Sequence, residues 1–140
     1  MTQYLSAETI LVLHSEVIDA TGGLHGVRDV GLLAVIVDKP KATFGGNDLY
    51  PGVFTKAAVY LESIVQYHVF IDGNKRTCIT ACARFLYQNG RNLSATNKEV
   101  ESFVLSVAAE KTEMPIIIAW LKKHTKKIRA AKPHGRKKKR

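Results

Sequence analysis

The segment Thr77 to Tyr87 constrains the fold more than any other part of this 140-residue chain. At helical spacing, Ile79, Ala81, Cys82, Ala83, Phe85 and Leu86 make a helix from about Asn74 that is apolar nearly all round. Such a helix has to be covered on most faces, which places it in the middle of a helical bundle. Gly90 supplies its C-terminal stop. The rest of the chain repeats apolar residues at three- and four-residue steps. Ser6 caps a first helix carrying Ile10, Leu11, Leu13, Val17 and Ile18, which ends at Gly22-Gly23. Asp29 caps a second, Val30 to Val37, stopped by Pro40, and a third runs from about Val53 to Tyr67. Thr96-Asn97-Lys98-Glu99 is a capping box that opens a fifth, with Val100, Phe103, Val104 and Val107 facing inward. Pro115 suits the first turn of a sixth, Ile116 to about Lys127. Residues 40–52, with Gly45, Gly46, Pro51 and Gly52, read as a loop or short hairpin. The expected fold is all-α, a compact bundle of about six helices with one functional loop.

Length and an apolar fraction of 46% fit one folded domain. The net charge of +9 is local. Residues 122–140 hold eleven cations and no acid, leaving 10 cations against 12 acids in the first 121 residues, a net of −2. Lys132-Pro133-His134-Gly135 breaks regular structure, so the expected division is a domain over 1–125 and a disordered basic tail over 126–140. The tail reads first as a solvated segment, and second as a nucleic-acid contact acting through counterion release. Cys78 and Cys82, four apart on one helix, read as packing residues rather than a disulfide or metal pair and suit a reducing compartment. The first eight residues lack the features of a signal peptide, and the apolar runs Leu32–Val37 and Ile116–Leu121 are far too short to span a bilayer. A cytoplasmic protein with no membrane contact is expected.

The chemistry concentrates in His68-Val69-Phe70-Ile71-Asp72-Gly73-Asn74-Lys75-Arg76, directly ahead of the apolar helix. A helix start presents unpaired backbone N–H groups and the positive end of the macrodipole, where anions settle. Gly73 and Asn74 would shape a turn around a phosphate, and Lys75 and Arg76 would add charge to it. His68 can accept a proton near neutral pH, although a lone histidine at a helix end is more often only satisfied by a carbonyl. Asp72 offers the carboxylate oxygen that Mg²⁺ prefers, or a cap for the helix. Phe70 and Ile71 read as structural. His14, His25, His124 and His134 have no comparable company and read as ordinary. No Gly-x-x-x-x-Gly-Lys-Ser/Thr loop and no His-Arg-Asp catalytic loop is present.

This nine-residue stretch resembles the signature of the Fic/Doc (Fido) family, His-x-Phe-x-Asp/Glu-Gly/Ala-Asn-Gly/Lys-Arg. The likeness continues through Tyr4-Leu5-Ser6, Gly26-Val27-Arg28-Asp29, Thr43-Phe44-Gly45-Gly46, Asp48-Leu49-Tyr50-Pro51, Lys56-Ala57-Ala58 and Ala119-Trp120-Leu121, roughly residues 4–124. These resemble the death-on-curing branch. The resemblance implies a six-helix bundle in which His68 is the general base and Asp72 holds Mg²⁺. It implies that Gly73, Asn74, Lys75 and Arg76 bind the phosphates of ATP, and that residues 43–50 form a flap taking a target strand by strand addition.

Within that resemblance Lys75 separates two chemistries. Adenylyltransferases usually carry glycine there and a second arginine three residues after the first, a position held here by Ile79. Death-on-curing toxins carry lysine, which implies transfer of the γ-phosphate to a Ser or Thr hydroxyl of a protein. Elongation factor Tu is the leading target by resemblance, with a separate antitoxin as the controlling partner. Gly73 points the other way, since the phage toxin type has alanine. Ser106–Glu110 echoes an inhibitory Ser-x-x-x-Glu helix, but the arginine that such a glutamate pairs with is absent, so Glu110 reads as a surface residue. The expected activity is a Mg²⁺- and ATP-dependent protein kinase. Alternatives are an adenylyltransferase and a non-catalytic module that binds polyanions or a partner.

Overall fold

In the computed structural model, which describes residues 1–129, helices α3 (Val53–Tyr67) and α4 (Asn74–Gln88) form the centre. Phe54 at the start of α3 lies against Arg91 just past the end of α4, so the two helices run antiparallel. The bundle is built as expected, but its middle belongs to α3. Nine of fifteen residues are buried in α3 and six of fifteen in α4. Lys75, Arg76, Arg84 and Tyr87 give α4 a solvent face. The charged residue that most hides the buried character of α3 is neutralised in place. Lys56, 2% exposed, sends Nζ to Asp48 Oδ2 at 3.0 Å and to the Tyr50 carbonyl, and Ala57 and Ala58 let neighbouring helices approach closely.

Helix α1 (Ala7–Thr21) starts where the Thr9 amide donates to Ser6 Oγ at 3.1 Å. Helix α2 (Val30–Asp38) starts where the Leu32 amide donates to Asp29 Oδ1 at 3.0 Å. The capping box closes both ways at α5 (Asn97–Glu110), with the Glu99 amide on Thr96 Oγ1 and the Thr96 amide on Glu99 Oε1. Pro115 occupies the first turn of α6 (Met114–Lys123). Tyr60 and Phe85 meet at 5.0 Å between ring centres at the α3–α4 seam. The Tyr60 hydroxyl accepts the Leu5 amide at 3.0 Å, tying the N-terminal strand of chain to the core. Leu61, Ile64, Leu86, Ile117 and Leu121 are fully buried around it.

Residues 40–52 contain the hairpin alternative: β1 (Thr43–Phe44) pairs antiparallel with β2 (Asn47–Asp48). The two-residue connection is Gly45-Gly46, both at positive φ (59° and 82°), as a tight hairpin turn of this hand requires.

Two expectations at the C-terminus need correction. The sixth helix ends at Lys123, and Thr125–Lys127 forms β4, antiparallel to β3 (Arg91–Leu93). The expected boundary between residues 125 and 126 therefore falls inside an ordered strand. Gly90 ends α4 at φ 85°, which releases the chain into an extended path, and the Ile128 amide closes the ladder on the Gly90 carbonyl at 2.9 Å. The expectation of disorder for residues 130–140 lies outside the described residues. Among those described, no helix is long and apolar enough to cross a membrane.

Cys78 and Cys82 are free thiols with no exposure. Burial pushes the Cys78 thiol up to about 12 and Cys82 higher still. A thiolate is the reactive form, so an aromatic disulfide reagent at neutral pH should label neither cysteine in the native protein and both in denaturant.

Candidate functional site

The six residues between α3 and α4 are held from three directions. From within, Asn74 Oδ1 accepts the Phe70 amide at 3.0 Å while its Nδ2 donates to the Phe70 carbonyl at 2.9 Å, a two-point clamp on one residue's backbone. From below, Phe70 is buried and stacked on the His14 ring of α1, 3.8 Å between centres and 4° from parallel. The same His14 ring places Nε2 2.8 Å from the Asp72 carbonyl. From the side, residues 26–29 run antiparallel to 68–71. The Arg28 amide donates to the Val69 carbonyl at 2.8 Å, and the Ile71 amide to Gly26 at 3.1 Å. The Arg28 guanidinium crosses the end of α3, donating to the His68 carbonyl at 2.5 Å and the Tyr67 carbonyl at 2.7 Å. A cation there satisfies two orphan carbonyls and the negative end of the helix.

His68 caps α3 in the left-handed region, φ 49°, a conformation that is unfavourable for any residue with a Cβ. The Arg28 bonds hold it there. Its ring is exposed and has no hydrogen-bond partner among the described residues. Opposite, no side chain caps α4, and the amides of Asn74, Lys75 and Arg76 are left for an anion. His68, Asp72, Gly73, Asn74, Lys75 and Arg76 line one cleft of about 460 Å³, whose far wall is Leu105, Ala108 and Ala109 of α5. A second, more apolar hollow of about 290 Å³, lined by Ile79, Val100 and Val104, continues from it past Lys75 and Arg76. The structure thus brings all six sequence-predicted site residues to one place.

Asp72 does not cap α4. Its Oδ1 accepts the Gly73 amide at 2.8 Å and its Oδ2 the Leu24 amide at 3.1 Å. The Leu24 bond first, the Gly73 bond next and the Arg76 charge after them hold this carboxyl below its ordinary value of 3.8. It is ionised at neutral pH and, among the described residues, is the one carboxylate lining the cleft. Each oxygen keeps a lone pair for a hard cation. Among the described residues no three His, Cys, Asp or Glu side chains cluster; a Mg²⁺ ion carried by one carboxylate and substrate phosphates needs no such cluster, so the donor set fits. Arg76 reaches across to α1, with Nη1 donating to Thr21 Oγ1 at 3.0 Å.

Three readings change. Ile71, expected to be structural, is 54% exposed and lines the cleft. His14, expected to be ordinary, is 3% exposed and positions the loop. Arg28, noticed only as part of a resemblance, fixes the His68 backbone. The available signal for His14 was its place on the apolar stripe, midway between Ile10 and Ile18; nothing local marks Arg28. Glu110 is exposed and accepts a bond from Ser106 Oγ at 2.8 Å, as a helix-end surface residue does.

The model of the Fic/DOC family matches residues 4–86, a span that holds α1 through most of α4 and every residue of the loop. The chain is 45% identical over 95 residues to toxin Doc of Mycolicibacterium smegmatis, covering 68% of this chain and 71% of that protein. It is 32% identical over 88 residues to protein kinase doc of Escherichia phage P1, covering 63% and 69% respectively.

The Asp72 geometry can be tested through Gly23. A Cβ there would sit 2.7 Å from Asp72 Oδ2 at a backbone φ of 118°. In the wild type, the Asp72 carboxyl should titrate by NMR with a midpoint below 3.8. Gly23→Ala should displace it from the Leu24 amide and raise that midpoint. Because the folded value is depressed, the stabilisation from these bonds is present above the ordinary value and lost as the pH falls through the folded one. Acid unfolding of Gly23→Ala should therefore depend less on pH in that window.

Proposed function

The chain belongs to the Fic/DOC family, and on that premise we propose that it is a toxin of the death-on-curing type. In this reading it is a protein kinase that moves the γ-phosphate of ATP to a serine or threonine hydroxyl on a protein. The names of its relatives, a toxin and a protein kinase, support the class. The observation that carries the reaction type is the pairing of Lys75 and Arg76 at the uncapped start of α4, facing His68 across the cleft, with apolar Ile79 one turn later.

His68 takes the proton of the target hydroxyl as its oxygen attacks the γ-phosphorus. The new O–P bond forms as the bond from that phosphorus to the β–γ bridging oxygen breaks, and ADP leaves with the electron pair. Lys75, Arg76 and the amides of residues 74–76 stabilise the charge on the phosphoryl oxygens, in positions that need no rearrangement. Asp72 would hold Mg²⁺, which neutralises phosphate charge when bound. Residues 43–50 would receive the target segment along a free edge of the β1–β2 hairpin, whose Phe44 is 81% exposed. Elongation factor Tu, implied by family resemblance, is the proposed target, and an antitoxin the proposed controlling partner.

Gly73 has a local reason to be glycine that does not depend on which phosphate is attacked: its φ is 77°, a conformation that strains a residue with a Cβ, and a Cβ there would press on the end of the Ile18 side chain, 2.8 Å away.

Incubation with a bacterial lysate, Mg²⁺ and ATP labelled at either the α- or the γ-phosphate tests the proposal. His68-dependent γ-label on one band is expected; α-label would establish an adenylyltransferase instead. His68→Ala and His68→Gly should both lose transfer. His68→Gly should be the more stable of the two by about 1 kcal/mol, because glycine accepts the left-handed conformation without strain. Loss of transfer in a stabilised variant separates missing chemistry from unfolding.

A further inference from the structure

We infer that the β3–β4 sheet, with the aromatic side chains at the same end of the α3–α4 pair, is a binding site for single-stranded nucleic acid. The site is separate from the cleft, which lies at the opposite end of α4, and the inference does not rest on the proposed kinase activity. The register sets Arg91 directly opposite Lys127. Directly opposed residues share one face of a sheet, and like charges there destabilise the pairing. A ladder that keeps this pair pays in stability for something an anion can return. Lys126, opposite Asn92, stands on the other face of the ladder, and the Arg91 guanidinium lies 5.4 Å from the centre of the Phe54 ring. Nearby, Lys41 Nζ lies 5.5 Å over the ring of Tyr4, whose carbonyl is bonded to Gln88 near the end of α4. Among the described residues none of these cations is ion-paired.

Cations interleaved with aromatic rings suit a phosphate backbone with bases free to stack. A lipid surface fits less well, because across residues 87–95 and 122–129 the one large exposed apolar side chain is Tyr87, an aromatic ring that a base can stack on as well. The overall charge agrees: the first 121 residues carry a net of −2, so the basic character belongs to residues 122–140 and to the cations folded against them. The counterions released by such contacts would make binding strongly salt-dependent.

The test uses the full chain and a fluorescent oligouridine of about 20 nucleotides, longer than one fold's usual site, followed by anisotropy from about 50 to 200 mM salt. The informative variant is Lys127→Glu. It replaces a like-charge pair by an opposite-charge pair, so it should raise Tm while weakening RNA binding at least tenfold and lowering the salt slope by about 0.7. A second variant, Arg91→Ser, should weaken binding as well. Binding unchanged in both, but lost on Lys137→Ser/Lys138→Ser/Lys139→Ser, would overturn the inference by assigning it to the terminal run. Equal competition by polyglutamate would overturn it too, as would binding to phosphatidylserine vesicles without binding to RNA, or no binding to oligouridine at the lowest salt.

Discussion

The His14 side chain carries more of this molecule than its single bond suggests. It lies in the core of α1, stacked on Phe70 and bonded to the carbonyl of Asp72. Phe70 is in turn clamped by Asn74, the first residue of α4, and Asp72 presents its carboxylate beside the cleft. One buried imidazole thus fixes where the loop leaves α3, where α4 begins and where the carboxylate points. A buried polar group with its partner in place is rigid, and losing that partner is costly. A site for charge at a fixed distance needs this kind of support.

Electrostatics depend on the same frame. The uncapped end of α4 would be a weak point in most helices, since its amides lack partners. Here those free amides are useful, because Lys75 and Arg76 stand at the same place and a phosphate would satisfy all of them together. Asp72 is kept ionised by two backbone amides rather than by a lysine or arginine in direct contact, which leaves its charge available. Strain is confined to His68, the one site residue without glycine's freedom that is held at positive φ. Arg28 holds that geometry from the far side of the helix end, out of the way of the cleft.

Much of the fold was legible in local signals. Ser6, Asp29 and the Thr96–Glu99 box stand where the helices start, because capping is decided within four residues and leaves a mark that short. Gly45-Gly46 likewise marks the hairpin turn. Burial was less legible. Lys56 and Ser63 make α3 look half exposed, and only the approach of Asp48 and Tyr50 shows that the lysine is neutralised inside. Lys126 and Lys127 look like the start of a tail, since nothing within the segment reveals that β3 is waiting to pair with it.

By itself the sequence determined the helical class, the caps, the confinement of net positive charge to one end of the chain, and the nine-residue stretch that forms the candidate site. Those properties depend on neighbours within a few turns of helix at most. Tertiary structure alone decided that α3 is the centre, that His14 and Arg28 support the loop, that α5 walls the cleft, and that Arg91 faces Lys127. Each of these brings together residues from separate elements, and such a meeting depends on how helices and strands pack, which no single segment encodes.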